Sequence, residues 1–392
     1  MTSPHDARFQ WLADRLQRWE QQGLRRQLVP RQHRGVLLVH GDQTVVNFGS
    51  NDYLGYGAEM FDFKVADIDE LSSGAGASPL VSGYSPLHQR LCEELIALEQ
   101  TEAAVLFPSG YAACSSLLAT LPEAGDVILS DALNHASLID GCRLSKAERF
   151  IYPHRDLQGV RQLLQIHRRR FRNAFLVTDS IFSMEGTLAP LEALAELAES
   201  FDAILIVDEA HATGLFGTRG SGLCEALGIE HRVPLRIGTL SKAVGASGGF
   251  VAGPQVVIDY LLHRARALIY STAASPLSIA AAIHGLRRIR HEPARRKLLE
   301  ARIGTLARLL AEQMPKTKST GTAIQPLLLG DANETVSLAR RLLAAGFYVP
   351  PIRPPTVPDG TSRLRISLSA AHEPEQLVAL IAEIARNLPR SR

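Results

Sequence analysis

The amino-acid sequence predicts an α/β protein: a mainly parallel sheet covered by helices on both faces, with a smaller α+β domain. Between about residues 87 and 270, short apolar runs alternate with helical segments, the pattern that parallel strands and their crossover helices produce. After residue 270 the order changes to a long helical stretch, followed by strands and helices of another arrangement. A chain of 392 residues, 46% hydrophobic and 21% charged, is long enough for one large domain plus a smaller one.

Each element has its own reason. From about residue 8 to 26, Trp11, Leu12, Leu16 and Trp19 recur at helical spacing, so a helix is expected there, able to clamp onto another part of the protein. The runs 35–40 and 44–48 flank Gly41-Asp42, the chemistry of a tight hairpin turn. Strands are expected at 105–107, 127–129, 174–178, 203–207, 235–237 and 250–252. The long helical stretch runs from about 276 to 313. Beyond it, 323–329, 348–349 and 363–368 read as strands, and 335–345 and 373–387 as helices. This organisation gives three segments: 1–60 joining the small domain, 61–290 as the large domain and 291–392 completing the small one.

Bulk charge excludes some functions. A formal charge of +2 supplies no global attraction to nucleic acid or to membrane, so neither is expected as a partner. The basic run at 167–172 reads as a solvated helix end. Cys92, Cys114, Cys142 and Cys224 lack CxxC spacing, so neither a zinc site nor a disulfide framework is expected, and a reduced, cytoplasmic setting fits. The opening residues lack a basic segment followed by an apolar stretch, and no run approaches a membrane span.

The residues that point to chemistry stand at the ends of the expected strands. Asp208 closes the apolar run 203–207 and opens Asp208-Glu-Ala-His211, and Lys242 ends Thr239-Leu-Ser-Lys242. A carboxylate at the ligand-facing edge of an α/β sheet and a lysine amine are what a pyridoxal phosphate (PLP) site needs. The amine holds the aldehyde, and the carboxylate keeps the pyridine nitrogen protonated, which makes the ring a deep electron sink. Ser109-Gly110-Tyr111 opens a helix, where backbone N–H groups can take a phosphate. His135, in Asn134-His-Ala-Ser137, offers a flat ring at another strand-to-helix junction. The loop from Asp179 brings Ser183, a hydroxyl for the cofactor's phenolic oxygen, and Thr239 offers one for the phosphate. Gly245, Gly248 and Gly249 permit close backbone approach or positive φ. Each residue by itself also fits a plain structural part: a turn cap, a surface ammonium, a helix start, a polar loop.

In combination these motifs resemble the PLP-dependent α-oxoamine synthases, enzymes of fold type I (aspartate-aminotransferase-like), along nearly the whole chain. The matching runs are Asn51-Asp-Tyr-Leu-Gly55, Val81-Ser-Gly-Tyr84 with His88, Ser109-Gly-Tyr111, Asn134-His-Ala-Ser137 and Phe182-Ser-Met184. Asp208-Glu-Ala-His-Ala-Thr-Gly214, Thr239-Leu-Ser-Lys242 and Ile269-Tyr-Ser-Thr272 complete the set.

The resemblance implies a seven-stranded, mainly parallel sheet and a role for each residue. Lys242 would hold PLP covalently and later move protons at the substrate Cα, while Asp208 pairs with the pyridine nitrogen and His135 stacks on the ring and meets substrate. Ser183 and His211 would contact the phenolic oxygen side, and Gly110, Tyr111 and Thr239 would surround the phosphate or the ring. Ser271 and Thr272 match a position that reaches the phosphate of the neighbouring subunit, which implies a homodimer with shared sites. Arg365 would hold the amino acid carboxylate through a bidentate guanidinium fork, and Arg25 and Thr356 would contact the acyl substrate.

The run Ile352-Arg-Pro-Pro-Thr-Val-Pro358 is similar to that of family members that join L-alanine to a pimeloyl thioester in biotin synthesis, releasing carbon dioxide and the thiol carrier. A relative using glycine and an acetyl thioester is the alternative. The resemblance leaves open whether the carrier is coenzyme A (pimeloyl-CoA) or an acyl carrier protein (pimeloyl-ACP). An acidic carrier protein would find cations at Arg168-Arg169-Arg170, or at Arg287 to Arg290 with Arg295 to Lys297. One stretch departs from the family: Gly74-Ala-Gly-Ala-Ser-Pro-Leu80 has Ala77 and Pro79 in a loop that is usually glycine-rich, and proline stiffens it.

Overall fold

A computed structural model describes residues 6–59 and 72–388. The expected joint at 60/61 and the first five residues lie outside them. The chain divides into two compact units. The smaller takes the described residues up to Asn51, then Met184–Gly186, then those from Leu299 on; the larger takes the described residues of Asp52–Ser183 and of Thr187–Leu298.

In chain order, the smaller unit opens with helix α1 (Gln10–Gln21), shorter than the expected 8–26 because Gly23 turns the chain at φ +68°. Trp11, Leu12, Leu16 and Trp19 are all exposed, so the clamp expected of this helix is not seen among the described residues. Strands β1 (Gln32–Arg34), β2 (Leu37–His40) and β3 (Gln43–Asn47) follow. His40 pairs with Gln43 across Gly41-Asp42, and Gly41 takes φ +58°, so the hairpin forms as expected. β1 was not expected, because Gln32-His-Arg34 is fully exposed and has no apolar period.

The larger unit contains α2 (Pro86–Glu99), β4 (Ala103–Phe107), α3 (Gly110–Thr120), β5 (Val127–Asp131), α4 (Ala136–Leu144) and β6 (Glu148–Tyr152). It continues with α5 (Leu157–His167), β7 (Ala174–Asp179), α6 (Leu191–Ser200), β8 (Ile204–Asp208), α7 (Leu223–Ala226) and β9 (Leu235–Thr239). Then come β10 (Gly249–Gly253), α8 (Gln255–Arg264), α9 (Arg266–Ile269), α10 (Pro276–His291) and the start of α11 (Pro293–Gln313), whose residues from Leu299 on belong to the smaller unit. The seven strands lie in the order β4-β10-β9-β8-β7-β5-β6. β6, β5, β7, β8 and β9 run parallel, and β10 is antiparallel to both its neighbours. Every residue of β5, β7, β9 and β10 is buried, which is why their sequences read as continuous apolar runs. The edge strand β6 was not anticipated: Glu148-Arg-Phe-Ile-Tyr152 buries one side chain fully, Tyr152. Arg236 interrupts the apolar pattern of β9, and its Nε meets Glu99 Oε2 at 2.9 Å with both side chains almost fully buried.

The expected helical stretch 276–313 is two helices. Pro293 has no N–H to donate and its ring would clash within a continuing helix, so α10 ends at His291 and α11 begins with the proline. Among the described residues no helix is long and apolar enough to cross a membrane.

The smaller unit resumes with β11 (Ile324–Gly330), α12 (Ala332–Ala344), β12 (Phe347–Tyr348), β13 (Pro351–Ile352), β14 (Ser362–Ser367) and α13 (Pro374–Asn387). β12 pairs in parallel with β3, completing the sheet β1-β2-β3-β12, so both ends of the chain build one unit. β11-β14-β13 form a second, antiparallel sheet. The two units meet along the chain at 51/52 and 298/299. Residues 52–59 stay with the larger unit for a physical reason: Glu59 is held by Arg288 and Arg295, each at 2.6 Å. The short excursion Met184–Gly186 was also unforeseen; Arg363 binds the Met184 carbonyl and the Glu185 carboxylate there.

Candidate active site

The carboxyl ends of four neighbouring parallel strands deliver the candidate groups. Asp208 ends β8 and pairs in register with Asp179, which ends β7. Both carboxylates are buried. Asp208 Oδ1 accepts from the Ala210 amide at 2.9 Å and Oδ2 from the Cys114 thiol at 3.2 Å. Burial, and then the negative charge of Asp208, push the Asp179 carboxyl well above the usual carboxylate range.

His135 is the N-cap of α4. Its Nδ1 accepts from the Ser137 amide at 3.3 Å, which leaves the proton on Nε2. His135 is exposed, yet the hydration it does lose pulls its pKa below the usual imidazole value. The Lys242 ammonium adds to that shift and the Asp208 carboxylate opposes it, so His135, Lys242 and Asp208 act on one another as neighbours. Lys242 follows the end of β9 and is half-buried.

At the other end, Ser109 caps α3 through Ala112 N, at 3.1 Å, at the end of a helix that can attract an anion. Gly110 packs on Thr239: a Cβ at 110 would lie 3.1 Å from Thr239 Cβ. Gly249 is closer still, since a Cβ there would come within 2.5 Å of Gly110 N. Thr239 Oγ1 meets Ser241 Oγ at 2.8 Å and donates to Gly248 O. Tyr111 is exposed and donates its hydroxyl to Asp140. His211 is buried, with Nδ1 2.7 Å from the Tyr53 hydroxyl. Ser183 is half-buried in the turn after β7.

Other expected site residues stand elsewhere. Ser271 and Thr272 line an apolar cavity of about 430 Å³ with Tyr84, His88 and Leu268. Arg365 lies in β14 of the smaller unit, buried, donating to Asn51 Oδ1 at 3.0 Å and Ser367 Oγ at 2.7 Å. Also in that unit, Arg353 donates to the Arg25 carbonyl at 2.7 Å, and Arg26 reaches Thr356 Oγ1 at 3.3 Å. Arg25, Arg31, Arg340 and Arg353 line a cavity of about 310 Å³ there.

The donor set fits PLP. It comprises a buried carboxylate, a lysine, a flat imidazole and a helix N-terminus with a hydroxyl, packed through glycines that leave no room for a Cβ. Fold and site together define a fold type I PLP enzyme. Residues 43–384 match the aminotransferase class I and II family. The chain is 41% identical over 376 residues to the 8-amino-7-oxononanoate synthase of Lysinibacillus sphaericus, covering 95% of this chain and 96% of that protein. It is 42% identical over 383 residues to the enzyme of the same name from Anaeromyxobacter dehalogenans, covering 97% and 96%. The structure of a serine palmitoyltransferase from S. paucimobilis with bound PLP matches with a TM-score of 0.89 at 26% identity, covering 97% of each chain. The chain therefore belongs to the aminotransferase class I and II family and is a PLP-dependent transferase.

Sequence reasoning gave no role to Cys114, Tyr53, Asn134 or Asp179. Three of them stood inside quoted motifs, but their partners are distant in sequence: Tyr53 meets His211 158 positions away and Cys114 meets Asp208 94 positions away.

Proposed function

We propose that this protein catalyses the decarboxylative condensation of L-alanine with a pimeloyl thioester, giving 8-amino-7-oxononanoate, carbon dioxide and the free thiol carrier in biotin synthesis. The observation that carries this reading is the convergence of Asp208, Lys242 and His135 at one sheet edge, in a chain whose curated relatives bear that synthase's name. PLP, when bound, supplies an electron sink for the negative charge that develops at the amino acid Cα.

The chain's own groups do the rest. The Lys242 amine, once released, removes the Cα proton and later returns one. Asp208, fixed by the Ala210 amide and the Cys114 thiol, keeps a proton on the pyridine nitrogen. His135 packs on the ring and turns its Nε2–H to the thioester carbonyl. Ser183 and His211, the latter set by Tyr53, hold the phenolic oxygen, and Thr239 with the amides of Gly110 and Tyr111 holds the phosphate. Arg365, preset by Asn51 and Ser367, takes the alanine carboxylate. Arg25 and Thr356 meet the acyl substrate, and the arginines around Arg25 complement the carboxylate at the far end of a pimeloyl chain, which an acetyl group lacks.

The same reading makes the enzyme a cytoplasmic homodimer in which Ser271 and Thr272 serve the neighbouring subunit's phosphate. Either carrier, coenzyme A or an acyl carrier protein, fits it. Within the first basic run Arg168 is engaged with the Phe201 carbonyl and Asp202, so the exposed Arg169 and Arg170 are the residues to meet an acidic carrier protein.

The test pairs L-alanine or glycine with pimeloyl-coenzyme A or acetyl-coenzyme A on PLP-loaded protein and follows thiol release. Alanine with the pimeloyl thioester should be the fastest pair. Faster turnover of glycine with acetyl-coenzyme A would replace this reading with that of a glycine C-acetyltransferase, and no thiol release with any pair would overturn it.

A further inference from the structure

We infer that Asp179 is the positioning residue for His135: its carboxyl oxygen anchors the backbone of that residue and thereby fixes where the imidazole stands over the cofactor. Asp179 is the last residue of β7, 2% exposed. Its Oδ2 accepts from the His135 amide at 2.7 Å, a bond between residues 44 positions apart. His135 precedes the first turn of α4, so its N–H has no acceptor within that helix. The carboxyl of a neighbouring strand fills that place.

Asn134 makes the attachment a clamp. Its side-chain amide donates to Val177 O at 2.9 Å and to Ser130 Oγ at 3.0 Å, while its Oδ1 accepts from the Asp179 amide at 3.0 Å. The loop after β5 is therefore stitched to the end of β7 immediately before and at His135. The imidazole itself is held on one side through Ser137, with Oγ 2.7 Å from Nδ1. The ring position is thus inherited from the backbone, and the backbone from Asp179. A second consequence concerns charge. Asp179 and Asp208 end adjacent strands in register, and two buried carboxylates side by side resist carrying two charges. Burial and the Asp208 charge favour the acid form of Asp179, in which the anchor costs no competing anion beside the carboxylate assigned to the pyridine nitrogen.

The inference rests on the reading of His135 as the residue that stacks on PLP. The experiment compares D179N, D179A, H135A and D179A/H135A as holoenzymes. It measures PLP affinity, the pH at which the visible band of the lysine-linked cofactor titrates, and kcat and KM for L-alanine. D179N keeps an oxygen acceptor for the His135 amide without a charge and should stay within about twofold of wild type in all three, because only the neutral hydrogen bond matters. D179A should weaken PLP binding about tenfold to a hundredfold and shift the band's titration, as loss of a buried hydrogen bond does. The same substitution should cost little more in the H135A background, since both changes act on one ring.

Losses that add fully in the double variant, or a D179N as damaged as D179A, would overturn the inference; so would a D179A like wild type when H135A is altered. An H135A with unchanged band and PLP affinity would instead sink the underlying reading of His135. Should D179A fail to fold, D179S takes its place, because the shorter hydroxyl stays polar but does not reach the His135 amide.

Discussion

The thiol of Cys114, in the second turn of α3, donates to Asp208 Oδ2 at 3.2 Å and ties the helix that opens at Gly110 to the carboxylate that ends β8. The two ends of the candidate cofactor site are thereby linked through one buried side chain. C114A removes that donor, leaves Asp208 a stronger proton acceptor and opens a small void. A thiol is a weak donor even to a carboxylate and its bond contributes about 1 kcal/mol, so kcat should fall less than about tenfold while the visible band of the bound cofactor titrates at a higher pH. C114S keeps a donor and should titrate near wild type. A band unmoved in C114A would show that the thiol does not tune Asp208.

Gly110 sits where even a methyl group would be crowded. Its built Cβ would lie 3.1 Å from Thr239 Cβ and 3.2 Å from Thr239 Oγ1, so G110A must push Thr239 and the first turn of α3 apart. The expected outcome is a PLP affinity lowered about tenfold or more, together with an apoprotein destabilised by ~1–3 kcal/mol, the usual cost of overpacking a close contact. Fluorescence titration of apoprotein with PLP measures it. Equal affinity would mean that this turn does not border the phosphate.

How much of this was legible depended on whether the cause of a feature is local. The hairpin was, because Gly41 and Asp42 carry their own turn chemistry. The central strands were, because burial on both faces leaves continuous apolar runs such as residues 174–177 of β7. Asp208, Lys242 and His135 stood out only in company, because each alone also fits a turn cap, a surface ammonium or a helix start, and the ordered set of motifs at strand ends is what singled them out. The edge strand β6 was not, since its exposed residues follow no period, and the division of the 276–313 stretch at Pro293 was passed over although the proline gave notice of it. The anchoring role of Asp179 had no local signal at all. Its partner is a backbone amide on another strand's loop, and backbone amides leave no mark in a sequence.

The four cysteines are free and buried, and each thiol is pushed up, first by burial. Cys92 and Cys142 reach about 11, and Cys114 and Cys224 lie well above the usual thiol range, the charges of Asp208 and Glu209 adding to burial there. A thiolate is the reactive form, so a thiol reagent near neutral pH should label the native protein negligibly. After denaturation it should find all four. Rapid stoichiometric labelling of native protein would show that one of these helices opens readily.

His372 supplies a pH dependence of stability in the smaller unit. Its ring stacks on Phe48 at 4.2 Å between centroids, Nε2 donates to Asn47 O at 3.1 Å, and Nδ1 accepts from Ser369 N at 2.9 Å. Both nitrogens are committed to the neutral form, and burial pulls the pKa from 6.5 to about 4. Because the folded value is depressed, the unfolded chain binds the proton more readily. The stability this histidine contributes is present above pH 6.5 and is lost as pH falls toward about 4. A shift of that size corresponds to about 3 kcal/mol over the window. Urea unfolding followed through the acid range should therefore show wild type losing stability steeply between those limits. H372F keeps the stack on Phe48 but leaves the Asn47 carbonyl and the Ser369 amide unsatisfied. It should be less stable than wild type at neutral pH and should lose less as the pH is lowered. The same acid slope in both proteins would mean that other groups, not His372, bind the protons taken up on unfolding.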